Sequence, residues 1–97
     1  MLKHIVLLEL RADAPEEAKD AIIEALRSLP DAIPEIRSLH VGTNVVESPR
    51  NLDLGLIVEF AGRAELDRYV VHPAHMAVVE QRIRPVAEKL VVVDFEF

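Results

Sequence analysis

A phenol and two imidazoles fall together in the run Tyr69, Val70, Val71, His72, Pro73, Ala74, His75. Histidine exchanges protons near neutral pH and a tyrosine hydroxyl can donate to a developing oxyanion, so Tyr69 and His75 could do general acid/base work on a carbonyl compound. His4 is a third imidazole. It points to the same side of its strand as Val6 and Leu8, and could share a cavity with His75 if that face lines a barrel. Each residue also has a structural reading: Tyr69 as a half-buried core residue, His72 as a helix cap ahead of Pro73, and His4 as a strand histidine bonded to its neighbour. His4, His72 and His75 also offer a metal-ligand set, but no carboxylate stands at ligand spacing within the run, and no metal or cofactor is expected. The chain has no cysteine, which excludes thiolate sites and cysteine nucleophiles. No serine sits in a nucleophile elbow, and the three glycines are isolated, so no phosphate-cradling loop is present.

The elements that must position these side chains follow from periodicity. Leu2 to Arg11 alternates as a strand that is apolar on both faces at its centre. Asp13 and Glu16 form a capping-box pattern around Pro15, which predicts a helix start there. Ala18, Ala21, Ile22, Ala25, Leu26 and Leu29 then give one apolar stripe, and Pro30 predicts an end near Ser28. Asp31 to Arg37 reads as a turn, Ser38 to Val45 as a second strand, and Glu47 to Asn51 as a polar turn. Leu52 to Phe60 is a third strand with Leu52, Leu54, Leu56, Val58 and Phe60 on one face. A short helix from Gly62 should stop at His72, because the residue before a proline disfavours the helical region. Pro73 can begin another helix with Met76, Val79 and Ile83 on its inner stripe, which Pro85 should kink or interrupt. Leu90 to Phe97 closes the chain as a strand.

The order β, α, β, β, α, β predicts a ferredoxin-like α+β fold, a four-stranded antiparallel sheet with both helices on one face. The first and last strands are apolar on both sides, so the uncovered face would be a large exposed patch of the kind soluble monomers avoid. A second copy of the same sheet is the simplest cover, which predicts a homodimer in the form of a dimeric α+β barrel.

The bulk numbers set the remaining bounds. Ninety-seven residues make one domain, 1–97, and a 51% hydrophobic, 4% aromatic composition requires a core of aliphatic side chains. The net charge of −6, without any Lys/Arg cluster, argues against nucleic-acid and anionic-membrane partners. The apolar run Ile5 to Leu8 is broken by Glu9 and Arg11, too short for a signal-peptide core or a bilayer span. A cytoplasmic protein is the expectation.

Several of these residues together resemble one family. His4 to Leu8; Ile33, Pro34, Glu35, Ile36; Gly42 and Asn44; Val58, Glu59, Phe60; Tyr69, His72, Pro73, His75; and Val93, Asp94, Phe95 are similar in order and spacing to the stress-responsive A/B barrel domain (Dabb) family. The resemblance covers essentially the whole chain, and its most specific part is the element Tyr-x-x-His-Pro-x-His. It implies a dimeric α+β barrel whose barrel face holds a small cavity in each protomer. From the family's plant polyketide cyclase, it implies His75 as the base, Tyr69 as its hydroxyl partner, His4 as a cavity-lining residue and His72 as structural. Leu54 stands where that cyclase has a further cavity histidine, so Leu54 and Leu56 would make the cavity floor apolar. Binding of a small apolar molecule is therefore the first functional reading. Acid/base catalysis of the cyclase or lyase type through His75 and Tyr69 is the alternative, and a haem- or metal-dependent oxygenase is a third.

Overall fold

The computed structural model describes all 97 residues, Met1–Phe97. Strand β1 (Leu2–Leu10) runs through the middle of the molecule and is followed by helix α1 (Ala18–Arg27) and the single turn α2 (Leu29–Ala32). The α1 stripe is as its spacing predicts, with Ala18, Ile22 and Leu26 buried. Its start is later than predicted. The Asp13 carboxylate bonds the Arg11 guanidinium and caps nothing, so Ala14 to Glu17 forms turns and the helix begins only at Ala18. At the other end Pro30 occupies the first turn of α2, where its missing N–H is harmless, and helical backbone replaces part of the predicted turn.

Strands β2 (Ser38–Thr43) and β3 (Leu54–Phe60) form the predicted hairpin, each shorter than its apolar pattern. The connection is held by side chains: Asn44 bonds Val46 and Asn51, and the Asp53 carboxylate accepts from the Leu10 N–H. Helix α3 (Arg63–Val70) stops before His72, and α4 (Pro73–Val78) begins at the proline, both as predicted. A π-helical turn, Val79–Ile83, then re-phases the chain. Val78 and Ile83, five residues apart as a π turn requires, are buried, while Met76 of the predicted stripe is half exposed. Strand β4 (Ala87–Glu96) closes the sheet in the order β2-β3-β1-β4, antiparallel throughout.

Register decides what each face of the sheet carries. Leu2, His4, Val6 and Leu8 align with Phe60, Val58, Leu56 and Leu54 on the face that the helices cover. Ile5 and Leu7 align with Ile57 and Gly55 and with Val93 and Val91 on the opposite face, which no helix covers. Leu7, Ile57, Val91, Val93 and Phe95 are correspondingly exposed. No helix is long and apolar enough to cross a membrane.

Candidate functional site

The site is built where α3 and α4 meet over the middle of β1. His72 is extended because Pro73 follows it, and its Nδ1 accepts a hydrogen bond from the Ala74 N–H at 3.1 Å, which caps α4. His72 is therefore occupied as a structural residue. The sharp bend it makes places Tyr69, at the end of α3, against His75, in the first turn of α4, with ring centroids 4.2 Å apart. The Tyr69 ring also packs edge-on to His4 at 5.8 Å and tilted on Phe60 at 5.0 Å. The structure thus brings His4, Tyr69 and His75 into one cluster on the helix-covered face, within a single protomer. The resemblance implied a cavity on the barrel face, which is the opposite side of the sheet.

Both cluster imidazoles have their Nδ1 engaged. The Val70 carbonyl lies 3.1 Å from His75 Nδ1, and since a carbonyl can only accept, that nitrogen carries the proton. His4 Nδ1 bonds the Asp94 carboxylate, directly across the β1/β4 pair. In the neutral rings Nε2 is left in each case as an unprotonated acceptor. Burial lowers the pKa of His75 from its ordinary value, with the Val70 carbonyl opposing and nearby His4 and His72 adding to the shift, so the neutral imidazole is favoured. Burial pushes the Tyr69 phenol up, which keeps its proton in place. No hydrogen bond within the chain uses the Tyr69 hydroxyl, yet no buried side-chain nitrogen or oxygen lacks a partner. The hydroxyl is therefore not sealed from solvent, although the residue is only 1% exposed. A phenol and two imidazoles thus pack in one cluster.

Asp94 is the participant to which sequence reasoning gave no role. The signal was present, since it is the one acid in the apolar run Leu90 to Phe95, but its pairing with a residue 90 positions earlier depends on strand register. Asp94 also lies at an open groove of about 640 Å³ between α3 and the β4 edge, walled by Leu2, Leu66, Val70 and Val71. Leu56 and Leu54 lie one and two same-face cross-strand rows away from His4 and Val58. They line a separate apolar cavity of about 20 Å³ with Val6, Leu8, Ile22 and Ile83, which none of the three cluster residues touches.

This is the sheet, helix layer and interior polar cluster of a ferredoxin-like α+β barrel domain. The chain belongs to the stress responsive A/B barrel domain family, whose model matches residues 2–97. It is 25% identical to the olivetolic acid cyclase of Cannabis sativa over 97% of this chain and 94% of that one. A dimeric ferredoxin-like protein of Bacteroides fragilis is 34% identical, with TM-score 0.84, over 99% of this chain and 95% of that chain. A dimeric ferredoxin-like protein of Thermobifida fusca is 27% identical, with TM-score 0.89, over 99% and 90%.

Proposed function

We propose that this protein is a homodimeric acid/base enzyme for a small carbonyl compound, with His75 removing a proton α to the carbonyl and Tyr69 donating to the enolate oxygen that forms. The observation that carries this reading is the packing of the Tyr69 ring against both His4 and His75, with its hydroxyl free of any protein partner. A neutral imidazole and a protonated phenol are the states that a base and an oxyanion donor require. His4, held by Asp94, lines the same space and offers a second acceptor. The cyclase relative adds support at the level of reaction type.

Leu54 and Leu56 would receive the apolar part of the molecule. In this conformation their cavity of about 20 Å³ has room for about one water. A larger occupant requires the side chains lining it, Ile83 and Leu90 among them, to shift. The purely apolar lining also supports a second reading, in which the dimer binds a small apolar molecule without turning it over. The family relatives described as dimeric favour two copies in either case, and the lack of cysteine favours a cytoplasmic setting.

One experiment separates the readings. Deuterium exchange α to the carbonyl is followed by NMR across a panel of aldehydes, β-keto acids and β-keto thioesters, with wild type and His75→Ala. Exchange accelerated by wild type and at least ~100-fold slower with His75→Ala supports catalysis. No acceleration across the panel, combined with thermal stabilisation by apolar compounds, replaces it with the binding reading.

A further inference from the structure

We propose that the groove between α3 and the edge of β4 holds the tail of a carbonyl compound and selects it by charge, taking a cationic tail in preference to one that ends in a carboxylate. The proposal deepens the acid/base reading, on which its carbonyl part rests, by naming the substrate class.

The groove is tied to both imidazoles of the cluster. Asp94, whose carboxylate bonds His4 Nδ1, and Val70, whose carbonyl bonds His75 Nδ1, both line it. A molecule lying there is linked to each ring through a single residue. The volume of about 640 Å³ has room for a small organic molecule, which the cavity of about 20 Å³ at Leu54 and Leu56 lacks. Leu2 and Leu66, both buried, and Val70 and Val71, 47% and 67% exposed, give the groove apolar walls.

Its charges are unevenly answered. Arg63 and Asp67 line it from α3, and Asp94 and Glu96 line it from β4. Arg63 Nε bonds the Asp67 carboxylate at 2.9 Å, one turn along the same helix, so these two charges largely cancel. Asp94 and Glu96 align with His4 and Leu2 in the β1/β4 pair, which puts both carboxylates on the covered face. Glu96 is in no ion pair of the chain. Asp67 holds the Arg63 guanidinium above its ordinary pKa, and Asp94 and Glu96 add to the rise, so the field of the β4 carboxylates reaches across to α3.

With Arg63 engaged by Asp67, the β4 side presents two negative charges beside apolar walls. That combination complements an alkyl chain ending in a cation and repels an alkyl carboxylate. The net charge of −6 acts in the same direction.

The test uses straight-chain methyl ketones of one length that end in trimethylammonium, methyl or carboxylate, added to the full-length protein at low ionic strength. Amide NMR shifts give the place and strength of binding, and deuterium exchange α to the carbonyl gives turnover. The trimethylammonium compound should bind at least ~10-fold more tightly than the carboxylate, and the gap should narrow at high salt. The largest shifts should fall at Leu66, Val70, Val71 and Glu96. Glu96→Lys, with its fold checked by circular dichroism, should erase or reverse the order while leaving the methyl compound's constant unchanged. Equal binding of the two charged compounds, binding of none, or shifts confined to other regions overturns the proposal, and exchange that is still accelerated then leaves the acid/base reading in place. The expected binding order without exchange of any compound upholds the charge-selective groove and overturns the acid/base reading instead.

Discussion

Alternate residues of β1 meet opposite environments. On one face Leu2, His4 and Leu8 are buried under the helices, and the one polar group among them is bonded to Asp94. On the other, Ile5 and Leu7 are apolar, half open and covered by nothing in the protomer. The first face holds the cluster of His4, Tyr69 and His75, and over β1 and β3 it is closed by the helices. The second is mainly apolar, with His40 as its one imidazole. The proposed catalysis and the proposed assembly thus draw on the two sides of a sheet only one layer thick, and substitutions on one side should leave the other nearly untouched.

Phe60→Ala tests the covered face beside Tyr69 and should have the largest effect. Phe60 is fully buried against Tyr69, and truncation should cost about 3–5 kcal/mol in urea unfolding. Ile57→Ala, three residues back on the open face, should change protomer stability by less than ~1 kcal/mol and weaken the dimer instead. Equal losses from both would erase the distinction between the faces.

Asp94→Ala leaves His4 Nδ1 without its acceptor in a site where the histidine side chain is only 11% exposed. A loss of about 1–3 kcal/mol is expected by the same measurement, with the dimer constant unchanged. Tyr69→Phe keeps the ring and removes the hydroxyl. Stability should fall by less than ~1.5 kcal/mol while any α-proton exchange drops by ~10² or more. Comparable exchange in the two proteins would leave the phenol a packing residue.

The pH dependence sharpens the covered face further. His75 has a folded pKa below its unfolded value near 6.5, so the unfolded chain takes up a proton first as pH falls. Its effect is absent above pH 6.5, and stability is lost as the pH falls from there through the lower folded value. His75→Gln should flatten that part of the stability profile. The smallest effect belongs to the exposed Glu80–Arg84 pair on the outer surface, where Arg84→Ala should cost only about 0.3–0.5 kcal/mol.

Much of the covered face was readable from local pattern. The α1 stripe, the break at His72 before Pro73 and the proximity of Tyr69 to His75 all follow from residues close in sequence, where turn chemistry and helical spacing act directly. Failures came where a distant or competing partner intervened. Asp13 is taken by Arg11 rather than by the helix N-terminus, and a π turn moves Met76 out of the core in favour of Val78. Asp94 meets His4 only because β4 pairs antiparallel with β1 in one register.

The amino-acid order by itself determined the βαββαβ succession, the two-sided strands and a phenol next to an imidazole. It could not say which side of β1 the helices would cover, because a period of two divides a strand into faces without ranking them, and here both are apolar. Tertiary structure made that choice. It placed His4 under the helices, where Asp94 satisfies its Nδ1 and Tyr69 packs against its ring. Ile5 and Leu7 were left on the outer side, where only another chain can bury them.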